Sequence, residues 1–139
     1  MGRILGVDLG TKRIGFAVSD PDRIIASALR MVECQSDRHI TTAIVDAIRE
    51  TGAELCVLGH PVNMDGSKGP AAQRTEKFRE ALSAAQPVKV VLWDERLTTK
   101  SAHDVLIEAG TRREKRKGLV DKIAAQIMLQ NYLDAHATL

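Results

Sequence analysis

The sequence predicts an α/β fold: a mixed five-stranded sheet, three antiparallel strands followed by two parallel ones, flanked by helices. Three observations carry that expectation. Apolar runs at 3–9, 54–59 and 88–93 are short and nearly continuous, as in strands buried on both faces. Helical periodicity fills the intervals after residue 36, so the order reads βββ-α-β-α-β-α-α. The first three strands are separated only by turns, which makes an antiparallel meander. In sheets of this kind, sites form at the carboxyl ends of the parallel strands.

Each element has a local reason. Arg3-Ile4-Leu5-Gly6-Val7-Asp8-Leu9 is the first strand, and Gly10-Thr11-Lys12 turns the chain into a second at 13–19. Asp20-Pro21-Asp22 turns it again into a third at 24–32. Asp37 is expected to cap a helix that places Ile40, Ile44, Ala47, Ile48 and Thr51 on one face and stops at Gly52. A strand over 54–59 leads into a loop of turn formers at 60–69. Pro70 suits the first turn of the next helix, with Ala71, Thr75, Phe78, Leu82 and Ala85 as its core stripe. After the strand at 88–93, Thr98 caps a helix to about Ala109, and Gly110 stops it. A basic loop at 112–117 precedes a final helix over 119–136. Trp93 is assigned to the core, and His39, His103 and His136 to surface or packing roles.

The chain has 139 residues, which predicts one domain over 1–139. A chain of this size buries roughly 68% of its extended surface, enough for a core of its own. Apolar residues make up 44% and charged residues 27%, the mixture of an ordinary globular protein. No run approaches the ~18 apolar residues of a membrane span, and the first 30 residues do not read as a signal peptide. Cys34 and Cys56 lack metal-ligand spacing and read as reduced thiols, so a cytoplasmic location is expected. These features exclude a membrane protein, a disulfide scaffold, a disordered tail and a two-lobed enzyme. Net charge is +2, but Arg112-Arg113-Glu114-Lys115-Arg116-Lys117 alone carries +4, leaving −2 on everything else. Such a concentration attracts phosphate backbones, although a basic run is also often a solvated loop.

Carboxylates at three places in the chain carry the argument for a site. Asp8 interrupts the first strand; a buried carboxylate needs a partner charge or must stay protonated, and a divalent cation is one such partner. A strand-end hydrogen bond to the following turn is the alternative. Asp94 and Glu95 directly follow the last strand. Alternation points them to opposite faces, so at most one joins Asp8, and pairing with Arg96 or capping would also account for them. Asp121 shares a helical stripe with Ala124, Ala125, Met128 and Tyr132. The helix dipole explains an acid near the start but not one on the inward stripe. Three acids from two strands and a helix suit one or two hard cations such as Mg²⁺, able to hydrolyse a phosphodiester. No Cys/His grouping suggests zinc, and there is no Walker-type loop or nucleophile elbow.

Four blocks together resemble the YqgF/RuvX family. They are Gly6-Val7-Asp8-Leu9-Gly10-Thr11-Lys12-Arg13-Ile14-Gly15-Phe16-Ala17-Val18-Ser19-Asp20, Gly59-His60-Pro61-Val62-Asn63-Met64-Asp65-Gly66-Ser67, Trp93-Asp94-Glu95-Arg96-Leu97-Thr98-Thr99 and Asp121-Lys122-Ile123-Ala124-Ala125. They occur in family order across nearly the whole chain. The resemblance implies an RNase H-like fold similar to the resolvase RuvC. It further implies a bacterial nuclease that processes the 5′ end of pre-16S ribosomal RNA, with Holliday-junction resolution as the older family proposal. It also implies that Asp8, Glu95 and Asp121 are the catalytic, metal-binding acids. His60 departs from the family, where an apolar residue such as leucine is expected. The Asp-x-Gly-Thr of the opening block also suits actin-like kinases and ATPases, but those need two lobes and well over 139 residues.

On this reading Asp8 bridges two Mg²⁺ or Mn²⁺ ions, with Glu95 and Asp121 each holding one side. Arg13, Arg96, Arg112, Arg113, Lys115, Arg116 and Lys117 are the candidates for phosphate contacts, and His60, Asn63 and Ser67 for contacts from the 60–69 loop. With four aromatic residues in the chain, recognition by backbone and shape is expected rather than base stacking. The expected partner is precursor rRNA, with structured DNA, the ribosome and its assembly factors as further partners. The protein is expected to act as a monomer or homodimer without a membrane. Two other readings compete: a DNA junction resolvase, which needs a symmetric dimer, and a non-catalytic nucleic-acid-binding assembly factor, which has no use for three converging acids.

Overall fold

The computed structural model describes residues 2–95 and 113–136, with side chains from Ile123 onward in the second stretch. The chain opens with β1 (Ile4–Leu9), β2 (Arg13–Ser19) and β3 (Ala26–Glu33). It continues through α1 (Asp37–Thr51), β4 (Leu55–His60), α2 (Pro70–Ala85), β5 (Lys89–Asp94) and α3 (Arg113–Ala135). The strands form one sheet in the order β3-β2-β1-β4-β5. β1 pairs antiparallel with β2 and parallel with β4, and β5 pairs parallel with β4. The mixed sheet expected from the sequence is present, with α1 connecting β3 at one edge to β4 beside β1.

Alternation along the strands splits the core into two. Leu5, Val7, Ile14, Phe16, Cys56, Leu58 and Val90 pack against α1 and α2. Ile4, Ala17, Ala26 and Val57 pack against Ala125, Met128, Leu129 and Leu133 of α3. Small residues on the second face let α3 come close: a Cβ on Gly6 would lie 3.0 Å from that of Leu129. Gln126 and Gln130 tie α3 to the start of β3, because Gln130 accepts from the Ala26 amide at 2.9 Å and Gln126 donates to its carbonyl at 3.2 Å.

The helix ends follow local chemistry, with some differences from expectation. Gly52 closes α1 in the left-handed region, at φ 68°. The N-cap is Ser36 rather than Asp37: its hydroxyl accepts from the His39 amide at 3.1 Å, while Asp37 occupies the first turn, where its charge complements the helix dipole. The buried stripe of α2 is Ala72, Thr75, Phe78 and Leu82, and Ala71 and Ala85 are exposed. β3 begins at Ala26, leaving Ile24 and Ile25 exposed, because Asp20 Oδ1 accepts both of their amides and holds the turn. Trp93 is half-buried against Tyr132 and His136.

The largest correction concerns the basic run. Residues 113–117 form the start of α3 rather than a loop. Lys, Arg and Glu are strong helix formers, and their lack of apolar periodicity conceals this from pattern reading. Arg112 and the helix expected over 98–109 lie outside the described residues. No helix among the described residues is long and apolar enough to cross a membrane.

Candidate active site

Asp8 occupies the penultimate position of β1, and Glu95 directly follows β5. The two strands are not neighbours. β4 lies between them, so their backbones are two strand spacings apart, roughly 10 Å. The two side chains nevertheless share a hydrogen bond. Three features of the sequence make this possible.

The first is parity. Val7, Leu58 and Leu92 belong to the α1/α2 face, whereas Val57, Trp93 and Gly6 face α3. Asp8, Gly59 and Glu95 continue the second series, and Asp94 continues the first. The second feature is reach: Glu95 carries one more methylene than an aspartate. The third is Gly59, where β4 passes between the two acids. A Cβ there would collide with the carboxylate, Cδ and Cγ of Glu95. Glycine is required at this position for a close approach, not for an unusual backbone angle.

Bringing two carboxyl groups together in a poorly hydrated place has an electrostatic consequence. The Glu95 carboxyl is pushed up to about 9, first by burial, then by its hydrogen bond to Asp8 and by the charges of Asp8 and Asp94. Without a cation Glu95 therefore keeps its proton and donates it to Asp8. A hard divalent cation is of the class that would take the place of that proton, since both donors are carboxylate oxygens. A cleft of about 450 Å³ opens beside Asp8, lined by Thr11, Lys12, Arg13, Gly15 and Met31. It follows the row in which Asp8 pairs with Gly15 and Gly15 with Met31. Arg13 stands exposed on its rim.

The other expected site residues are distributed unevenly. Asp121 lies within α3, one turn before the buried Ala125; its side chain is outside the described residues. The same holds for the side chains of Arg113, Lys115, Arg116 and Lys117, and Arg96 is outside the described residues altogether. His60 does not join the pair. It follows Gly59 and so points to the opposite face, where it is 9% exposed and its Nε2 lies 3.0 Å from Glu76 Oε2. Glu76 also meets Lys68 at 3.4 Å and is held below the usual carboxylate range, chiefly by the His60 hydrogen bond. Asn63 and Ser67 brace their own loop: Asn63 Nδ2 donates to Ser67 Oγ at 3.0 Å, and Ser67 donates to Asp65.

Two positions of consequence are not marked as site residues by the sequence. Gly59 sits in a quoted motif, but its role depends on Glu95 crossing over it. Arg74 of α2 donates to the carbonyl of Gly10 at 3.1 Å and so holds the turn that follows Asp8. A cation four residues before Phe78, over whose ring it lies at 5.3 Å, is the only local signal of it.

The profile of the RuvX family, described as Holliday junction resolvase, matches residues 2–135. The chain belongs to the RuvX family. A relative from Ruminiclostridium cellulolyticum, named "Putative pre-16S rRNA nuclease", is 41% identical over 133 residues, spanning 95% of this chain and 94% of its own. One of the same name from Syntrophomonas wolfei is 45% identical over 132 residues, with 95% and 94% coverage. Among solved structures, T. thermophilus RuvC in complex with Holliday junction substrate superposes with a TM-score of 0.59 at 14% identity, covering 97% of this chain and 95% of that one. The fowlpox virus resolvase bound to Holliday junction DNA gives 0.55 at 14% identity, covering 98% and 99%. At these identities the structural likeness speaks for the fold: this RuvX chain has the RuvC-like, RNase H-like architecture expected from its sequence.

Proposed function

We propose that this RuvX chain is a metal-dependent phosphodiester hydrolase that processes the 5′ end of pre-16S rRNA, with Asp8, Glu95 and Asp121 as its metal-binding, catalytic acids. The observation that carries this reading is the meeting of Asp8 and Glu95 across Gly59. The names of the full-length relatives supply the substrate. These acids would hold one or two divalent ions, Mg²⁺ or Mn²⁺, which would supply Lewis acidity for activating a water and stabilising the departing sugar oxygen.

The chain's own residues do the rest. Asp8 and Glu95 give up their shared proton and become the anionic pair that holds the ion. Asp121, carried by α3, is the third acid of the proposed set. Lys12 and Arg13, on the rim of the cleft, neutralise the phosphates either side of the scissile bond. Arg96, Arg112, Arg113, Lys115, Arg116 and Lys117 are the further candidates for phosphate contacts, and the reaction takes place outside any membrane.

Asp8→Asn tests this directly. Cleavage of a pre-16S 5′ leader in Mg²⁺ is expected to fall by about a thousandfold or more, since several kcal/mol of charge stabilisation are lost. Undiminished cleavage would overturn the assignment. A four-way DNA junction in a parallel assay tests the resolvase reading, which requires a symmetric dimer to cut two strands. Mn²⁺-dependent cleavage of the junction alone would move the substrate from RNA to DNA while leaving the three acids in place.

A further inference from the structure

We propose that the groove between α1 and α2 is a second phosphate-binding track, which carries the single-stranded flank of the substrate away from the Asp8–Glu95 site. The inference rests on the nuclease reading above and extends it to a surface on the other face of the sheet. The groove has a volume of about 510 Å³, and its apolar lining is Pro70, Phe78 and Ala81. Its walls carry Arg38 from α1 and Arg74 and Lys77 from α2, against one acid, Asp37. Arg38 and Lys77 are exposed and make no ion pair among the described residues. Gln73, whose Nε2 donates to the Lys68 carbonyl at 3.2 Å, keeps a second N–H for a phosphate or sugar oxygen.

Continuity with the site is what gives the groove its occupant. Gly10 lines the cleft beside Asp8, and its carbonyl accepts the Arg74 guanidinium at 3.1 Å. Arg74 in turn lines the α1/α2 groove. One residue therefore belongs to the wall of the groove and is bonded to the wall of the cleft. Lys12 and Arg13, which line the same cleft, stand exposed beside Gly10 in the chain. A strand leaving the cleft over the 10–13 turn would meet Lys12 and Arg13, then Arg74, then Arg38 and Lys77, five cations against the single acid Asp37 of the groove lining. A polyanion is the partner such a line complements, and contacts of this type are indifferent to base sequence.

The test uses fluorescently labelled single strands and the full chain carrying Asp8→Asn, so that binding is read without cleavage. Reversing both outer charges (Arg38→Glu with Lys77→Glu) is expected to weaken binding of a long strand at least about tenfold. It should also lower the slope of log affinity against log salt by about 1.4, as two lost contacts to a single strand require. A strand too short to leave the cleft should bind both proteins alike. Arg79→Glu with Lys89→Glu removes the same charge elsewhere, from exposed positions beside the β5 edge, and should cost much less. RNA and DNA strands of one sequence form the two arms, since the phosphodiester backbone is common to both. Equal losses for the two charge reversals, or equal losses on short and long strands, overturn the track. The nuclease reading would survive that outcome, because it falls only if Asp8→Asn still cleaves.

Discussion

Leu58 and Gly59 are neighbours on β4, yet they serve opposite sides of the sheet. Leu58 is fully buried among Val7, Phe16, Ile44 and Leu82 on the α1/α2 face. Gly59 has no side chain, and the space where its Cβ would stand is filled by Glu95. The α1/α2 face carries large branched and aromatic residues. The α3 face carries Gly6, Gly15, Ala17, Ala26 and Gly59 interspersed with the larger Ile4, Val57 and Trp93. One face supplies stability through packed volume; the other gives up volume so that a helix and two acids can come close.

The largest expected effect is on the packed face. Leu58→Ala should destabilise the protein by about 2–5 kcal/mol, from lost transfer energy and the cavity left behind. A urea titration measures this, and the molecules that remain folded should keep their specific activity. The next effect is its mirror image. Gly59→Ala should lower cleavage by about a hundredfold or more, because Glu95 must leave Asp8, while its urea midpoint moves little. A Gly59→Ala protein that is fully active would remove the spatial argument for the Asp8–Glu95 pair. Gly6→Ala sharpens the contrast further. Its new Cβ, 3.0 Å from that of Leu129, pushes on α3 and should cost about 1–3 kcal/mol by overpacking.

The packed face was legible in the sequence, and the spacious face only in part. The apolar runs around Leu5, Cys56 and Val90 announce buried strands without any knowledge of their partners. Asp8 announces itself by interrupting such a run. Glu95 is different: residue order leaves it level with Asp94, and only the parallel register of β4 and β5, with Gly59 opposite Trp93, assigns it to the face of Asp8. The resemblance to the RuvX family names Glu95, but the reason lies in strand parity and in an absent side chain. Arg74 is less legible still, since its bond to Gly10 joins residues 64 apart. The start of α3 was misread because charge, unlike apolar periodicity, does not distinguish a helix from a loop.

The smallest of the expected effects probes the electrostatic cost of the spacious face. An ordinary glutamate ionises near 4.5 in the unfolded chain, whereas Glu95 in the folded, metal-free protein holds its proton up to about 9. Between those values the folded state binds one more proton than the unfolded state, so stability falls as pH rises through the window. Below the window both states are protonated at this site and the dependence vanishes. The melting temperature of metal-free protein should therefore decline between pH 6 and pH 9, and Glu95→Gln, which cannot ionise, should decline less steeply. Mg²⁺ should reverse the trend in the unsubstituted protein, because the ion binds the deprotonated pair and its stabilisation grows with pH. Leu58→Ala should lower the whole curve without changing its slope. Parallel curves for the unsubstituted protein and Glu95→Gln would mean that the pair does not share a proton, and that the two faces differ in packing alone.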